Sequence, residues 1–262
     1  MNKRQHQIFN DYAKKSNYKI NNTKWNKMKV DVVIPTRSRK EIEDGLLKAI
    51  KNEPQFNNII IIDVKPLSKA RLEGCKKAST EWVAMFDDDN LIPPNWLQEV
   101  LNAVDSTTGA VSTVSRQNDA DLDAYYNVVS SFYRVNNLDS DPRIGNVLVK
   151  RDLMLSFQPS RVFTGEDQHL RKHIENTGYH WKTLPYMGVT HMRRTTINVE
   201  TGIYYKRYKY YSHFQILRRL SARFLLGSFT PLLSHRLLTP FILWKDDVKF
   251  LSGWLKETYK SH

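Results

Sequence analysis

Asp87, Asp88 and Asp89 stand in a row directly after the apolar run Trp82-Val83-Ala84-Met85-Phe86, and Glu166 and Asp167 form a second acidic pair further along. Two carboxylates at i and i+2 on a loop can converge on one hard divalent cation, whose arrival relieves their mutual repulsion. Mg2+ or Mn2+ held that way keeps positions open for water and phosphate oxygens, which suits a diphosphate substrate. A turn that only needs solvation gains little from three neighbouring carboxylates. The second pair follows Thr164, a residue type that caps helices. It can therefore serve as the acidic first turn of a helix. It can equally supply a general base, since a carboxylate about 3 Å from an entering hydroxyl can take its proton.

The surrounding pattern predicts what positions these groups. Val30, Val32, Val33 and Ile34, closed by Pro35-Thr36, read as a buried strand ending in a loop. Residues 40–52 read as a helix with Ile42, Leu46, Leu47 and Ile50 on one face, stopped before Pro54. Ile59-Ile60-Ile61-Ile62 predicts a second buried strand ending at Asp63, and a helix is expected from about Ser68, with that side chain as its cap. Residues 82–86 are the third strand. Strand, helix, strand, helix, strand at this spacing implies parallel strands joined by right-handed crossovers, with both sheet faces covered. Ligands of such sheets bind beyond the carboxyl ends of the strands. Here those ends carry Thr36, Arg37, Asp63, Asp87, Asp88 and Asp89.

The chain has 262 residues, enough for one large or two small domains with a sizeable core. With 40% hydrophobic and 26% charged residues it is neither disordered nor collagenous. The single cysteine, Cys75, cannot form an intramolecular disulfide, so a reducing cytosol is the expectation. No apolar run approaches the roughly 18 residues of a spanning helix, and the polar N-terminus shows no signal-peptide core. The net charge of +13 is unevenly placed. Residues 1–29 hold eight Lys/Arg against one acidic residue, residues 191–262 hold thirteen against four, and the middle is mildly acidic. Residues 1–29 read as a basic arm with a short helix at 5–15. A nucleic-acid enzyme concentrates positive potential around its polymer groove. Here the excess lies outside the acidic motifs, which favours an anionic lipid surface as partner and no nucleic acid.

Four features in order resemble glycosyltransferase family 2, the nucleotide-sugar-dependent transferases of the GT-A fold. They are Val32-Val33-Ile34-Pro35-Thr36, Ala70-Arg71-Leu72-Glu73-Gly74, Phe86-Asp87-Asp88-Asp89 and Gly165-Glu166-Asp167, the last followed by Gly178-Tyr179 and His191. The resemblance implies an α/β catalytic domain over residues 30–195, a Rossmann-like mixed but mostly parallel sheet flanked by helices. It implies Thr36 and Arg37 beside the nucleotide, Asp63 at its base, Arg71 supporting that pocket, and Asp88 near the ribose. Asp87 and Asp89 match the family's Asp-x-Asp, and His191 its later metal-ligating histidine, so Asp89, Asp87 and His191 are the expected metal set for Mn2+ or Mg2+. Asp167 matches the catalytic base, with Glu166 beside it positioning the acceptor. Gly145 and Asn146 fall where related enzymes contact donor sugar or acceptor. The chain departs from the family in two places. Only Val64 to Lys69 separate the Asp63 strand from the Ala-Arg motif, which abbreviates the base pocket, and Leu72 replaces the frequent Asn.

Residues 196–262 read as a basic, aromatic, amphipathic helical region. Tyr204-Tyr205-Lys206-Arg207-Tyr208-Lys209-Tyr210-Tyr211 suits a bilayer interface, and also single-stranded nucleic acid. Leu217, Leu220 and Phe224 share one helical face, with Arg219 and Arg223 on another. Phe241, Trp244, Val248, Leu251 and Leu255 form a second stripe. Such stripes must be covered, by the catalytic domain, by a membrane, or by a second copy of the chain. The expectation is a metal-dependent, inverting glycosyltransferase on the cytoplasmic face of a membrane. It would move a sugar from a nucleoside diphosphate, a uridine diphosphate sugar for preference, to a lipid-linked or glycan acceptor. The rivals are a nucleotidyltransferase and a non-enzymatic basic nucleic-acid-binding protein.

Overall fold

The computed structural model describes residues 28–135, 142–158, 166–193, 199, 202–203, 206, 212–235 and 237–260. The expected basic arm and its helix at 5–15, Thr164 and most of the tyrosine-rich run lie outside them, apart from residues 28–29 and Lys206.

Seven strands form one sheet in the order β2-β1-β3-β6-β5-β7-β4. They are β1 (Val30–Pro35), β2 (Phe56–Ile62), β3 (Trp82–Phe86), β4 (Asn90–Leu91), β5 (Thr108–Gln117), β6 (Asn146–Lys150) and β7 (His180–His191). β2, β1 and β3 are parallel, as are β5 and β7, while β6 and β4 run against their neighbours. Five strands thus share one direction, as the βαβαβ pattern requires. The helices are α1 (Asp44–Lys51), α2 (Leu67–Lys77), α3 (Trp96–Asn102), α4 (Ala120–Val135), α5 (Arg151–Ser156), α6 (Glu166–Asn176), α7 (His213–Ser234) and α8 (Thr239–Lys260).

Strand alternation divides the core. Val30, Val32 and Ile34 pack with Leu46 and Ile50 of α1 and with Trp96, Leu97 and Leu101 of α3. Val33 faces the other way, into Cys75 of α2, Met154 of α5 and Leu170 and Ile174 of α6. Gly74 lets α2 lie this close, because a Cβ there would run into Val33. Burial raises the Cys75 thiol pKa to about 12, leaving a thiol that packs as an apolar side chain.

Three local expectations are corrected. Ser68 lies inside the second helix, whose N-cap is Pro66 without a side-chain cap bond, so Ser68 is no cap. The isoleucine strand is an edge strand in which Ile59, Ile60 and Ile61 are only half-buried, because β2 has a neighbour on one side alone. The helix expected over 40–52 starts at Asp44, after a 3-10 turn over Arg39–Glu41. There the backbone N–H of Glu43 turns aside to donate to the Asp88 carbonyl at 2.8 Å.

Asp31, fully buried in β1, binds together the start of β2 and the lead into β3. Its carboxylate accepts from Asn57 Nδ2 at 2.9 Å, the Asn58 amide at 3.1 Å, the Ser79 amide at 2.6 Å and the Thr80 amide at 3.2 Å. Burial pushes its pKa up, but the donors from Ser79, Asn57 and Asn58 prevail and hold it below the usual carboxylate value. A depressed folded pKa gives stability that is present above the unfolded value near 3.8 and lost as pH falls through the folded one. Asp31→Ala should cost at least about 2 kcal/mol at neutral pH by urea unfolding, and its deficit should shrink in acid.

At the C-terminus α7 and α8 pair and pack on α4. Leu243 meets Leu122 and Tyr125, while Phe250 and Trp254 meet Ile216 and Leu220. Arg223 donates to Asp247 at 2.7 Å and lies over the Tyr125 ring at 5.5 Å, so this arginine is on the packed side. The inward face is therefore only partly the stripes read from the sequence, of which Leu220 is packed and Trp244 half-buried. Phe241, Val248, Leu251 and Leu255 are exposed, Val248 by 66%, as are Phe214, Leu217 and Phe224 on α7. No helix among the described residues is long and apolar enough to cross a membrane.

Candidate active site

The carboxyl ends of β1, β3, β5 and β7 and the start of the antiparallel β6 meet at one edge of the sheet. A cavity of about 440 Å3 opens there. Thr36, Arg37, Arg71, Asp87, Asp88, Asp89, Gly145, Asn146, Asp167 and His191 all line it. Glu166 is buried behind the wall, under Arg71. Asp63 is exposed at the end of β2 and is not among the lining residues.

The acidic turn is held on three sides by backbone bonds. The Asp87 amide donates to Gly145 O at 3.0 Å, the Glu43 amide to Asp88 O at 2.8 Å, and the Met192 amide to Asp89 O at 2.8 Å. The three carboxylates then separate. Asp87 Oδ1 accepts from Arg71 Nη2 at 2.8 Å, and its other oxygen lies over Gly145, where a Cβ would collide with it. Asp88 accepts from Thr36 Oγ1 at 2.6 Å and from Arg193. Asp89 Oδ1 lies 3.3 Å from His191 Nδ1. Burial raises the Asp88 pKa despite Thr36 and Arg193. For Asp89 the same burial is outweighed by His191 and Arg193, and its pKa is lowered.

Arg71, 5% exposed, is the central cation. It bridges Asp87 to Glu166 Oε2, the latter at 2.5 Å, and so fastens the end of β3 to the start of α6. Burial opposes its charge, but Glu166 and Asp87 more than offset that and push its pKa up. Glu166 and Asp167 both have raised pKa values, first through burial. Arg71 offsets this at Glu166, and Arg143 and Arg71 offset it at Asp167. A partly exposed carboxylate with a raised pKa at the wall of a cavity can accept a proton from a bound hydroxyl.

Sequence reasoning missed three lining residues with charge. Arg193 sits two positions past His191, a spacing that puts both on one face of extended chain, and this could have been read. Arg143 precedes Gly145 by two and has no comparable signal. Glu41 lines the cavity from the 3-10 turn that precedes α1. Asn146 is in the wall, yet its side chain serves the sheet, accepting from the Thr113 amide at 3.2 Å and donating to Ser115 Oγ at 3.4 Å.

A divalent cation would fit the Asp89–His191 pair, since carboxylate and imidazole together suit Mn2+. Among the described residues no group of three such ligands gathers, so the remaining positions would fall to diphosphate oxygens and water.

A mainly parallel, helix-flanked sheet of this kind, with an acidic turn at its carboxyl edge, is of the GT-A type. The model of glycosyl transferase family 2 matches residues 38–221, and the chain belongs to that family and is a glycosyltransferase. Among solved structures, the mannosyltransferase of Pyrobaculum calidifontis, in complex with GDP-Man and Mn2+, shares the fold with a TM-score of 0.52 at 16% identity. That match covers 89% of this chain and 88% of the other. Glucosyl-3-phosphoglycerate synthase of Mycobacterium tuberculosis, in complex with Mn2+, UDP-Glc and phosphoglyceric acid, matches with a TM-score of 0.47 at 13% identity over 65% of this chain and 74% of that one. Mannosyl-3-phosphoglycerate synthase of Rubrobacter xylanophilus matches with a TM-score of 0.45 at 14% identity over 64% and 68%. No curated protein matches by sequence.

Proposed function

We propose that this chain transfers a sugar, with inversion, from a nucleoside diphosphate, a uridine diphosphate sugar in the first instance, to a lipid-linked or glycan hydroxyl. The observation that carries this reading is one cavity lined by Asp89 and His191 from the ends of β3 and β7 and by Asp167 from α6. Thr36, Arg37 and Asp88 bind the nucleotide, Arg71 and Asp87 shape the floor, and Glu166 holds Arg71. Asp63 lies off the cavity and is left to the outer edge of the base. A divalent cation at Asp89 and His191 would stabilise the charge that develops on the leaving diphosphate. Asp167 takes the proton of the entering hydroxyl as the new C–O bond forms opposite the departing diphosphate. The Mn2+ in the Pyrobaculum mannosyltransferase supports the choice of cation.

The reading is tested by thermal stabilisation against a panel of nucleoside diphosphates with and without Mn2+. One nucleotide should raise the melting temperature in a Mn2+-dependent way, since a ligand that binds only the folded state stabilises it. A flat panel would remove the donor site. Release of pyrophosphate instead of nucleoside diphosphate would assign the chain to nucleotidyl transfer.

The uncovered faces of α7 and α8 supply the second part of the proposal, peripheral attachment to the anionic cytoplasmic face of a membrane. Phe214, Leu217, Phe241, Val248, Leu255 and Tyr259 are exposed beside the exposed cations Arg218, Lys245 and Lys256. Both helices pack on α4, whose Tyr126 lines the cavity. The protein should sediment with anionic liposomes at low salt, and Phe241→Ser with Val248→Ser should reduce the bound fraction several-fold. Equal recovery in the supernatant with and without liposomes would remove membrane attachment and leave pairing of two copies through this face.

A further inference from the structure

Two cavity arginines make carboxylate pairs, Arg71 and Arg193, and they differ in setting. Arg71 is buried and its partners Asp87 and Glu166 enclose it. Arg193 is half-exposed at the end of β7 and reaches across the cavity mouth. Its guanidinium donates to Glu41 Oε2 at 3.0 Å and to Asp88 Oδ1, and its Nε lies 3.7 Å from Asp89 Oδ2. Three carboxylates from two separate stretches therefore share one tethered cation, and one of them is half of the Asp89–His191 pair.

A guanidinium at this place opposes a divalent cation at Asp89 in two ways. It occupies an oxygen of the neighbouring Asp88, and it adds a positive charge 3.7 Å from Asp89 Oδ2. Neither obstacle is permanent, because half of the side chain is in solvent, although the backbone at 192–193 is held to Asp89 by its amides. A diphosphate entering the cavity offers this guanidinium a partner that matches its paired N–H groups and carries more charge than one carboxylate.

We propose that Arg193 is a tethered counter-cation that keeps the divalent cation from Asp89 and His191 until the donor's diphosphate takes the guanidinium over, so that cation and nucleotide bind together. This rests on the donor reading above, and it adds a source for the coupling between the two ligands. By thermodynamic reciprocity, a cation that tightens nucleotide binding is tightened by nucleotide to the same factor. Arg193 carries a measurable part of that factor.

The test is Mn2+ affinity by calorimetry on the full chain, alone and with saturating UDP, for wild type, Arg193→Gln and Arg193→Lys. Without nucleotide, Arg193→Gln should bind Mn2+ about tenfold more tightly than wild type, as expected for removing one close positive charge. Its enhancement by UDP should fall by a similar factor. Arg193→Lys retains a cation and should keep the weak affinity of wild type for Mn2+ alone. Equal Mn2+ affinity in wild type and Arg193→Gln overturns the proposal, whether or not UDP binds. Tight binding by the Lys variant overturns it too. Failure of wild type to bind UDP with Mn2+ present would instead overturn the donor reading, which the Mn2+-only arm does not depend on. Far-UV circular dichroism on each variant excludes a folding defect, which a half-exposed strand-end side chain is not expected to produce.

Discussion

Asp167→Asn is expected to lower turnover by about 10²- to 10⁴-fold while nucleotide affinity changes little. The amide retains the size and hydrogen-bonding capacity of the side chain but accepts no proton at catalytic pH. The loss should therefore appear in kcat and kcat/KM together, with the donor KM close to wild type. The wild-type pH profile gives an independent check. Burial raises the Asp167 pKa above the ordinary carboxylate value, with Arg143 and Arg71 offsetting part of that. A base works only when ionised, so activity should rise with pH through a limb displaced upward from the usual carboxylate range. Arg143→Gln removes one of the offsetting charges and should move that limb further up. Near-normal turnover in Asp167→Asn would take this residue out of the reaction.

Arg71→Met should be the most destabilising single change in the cavity wall, at about 3–5 kcal/mol, because it leaves the buried Glu166 carboxylate, and the partly exposed Asp87 beside it, without their cation. Arg71 is 5% exposed and Glu166 10%, so water cannot replace the lost partner without opening the wall. Arg71→Lys should recover only part, since one ammonium cannot serve Asp87 and Glu166 with the geometry of a fork. The pH dependence has a definite sign. Burial already holds the folded pKa of Glu166 above its unfolded value, against the pull of Arg71. A raised folded pKa means a stability contribution that is whole below the unfolded value and lost as pH rises through the folded one. Without Arg71 the folded value climbs further, so the variant's deficit should be larger at about pH 8 than at about pH 5. Urea unfolding at the two pH values reads it directly. A deficit independent of pH would mean that Arg71 acts through packing alone.

Parts of this architecture were legible in one dimension because they depend on local regularities. Apolar runs of β-branched residues at βαβ spacing are strands, and the parallel order of β2, β1 and β3 follows from the crossovers between them. Polar residues at the ends of such strands line a cavity for the same reason, and Thr36, Asp87, Asp88 and Asp89 are there. Asp63 shows the limit of that rule: it ends a strand like the others, but its strand is the sheet edge, and only the strand order reveals this.

The amphipathic tail shows a second limit. Both faces of α8 carry large apolar residues, so periodicity finds a stripe without deciding which stripe is inside. Contact with α4 selected Leu243 and contact with α7 selected Phe250 and Trp254, which left Phe241, Val248 and Leu255 in solvent. The partners of the acidic residues were equally hidden. Arg71 meets Glu166 across 95 positions and Arg193 meets Asp88 across 105, separations at which no pattern along the chain carries information.

Residue order alone therefore established the first three strands, the family and the acidic groups available for chemistry, because these follow from short-range spacing, while the four later strands were not read. Which carboxylate faces a cation, which is neutralised by an arginine and which stays open to a substrate was decided by tertiary packing. The reason is that charge pairing depends on distance through space, and distant segments acquire that distance only when the sheet has formed.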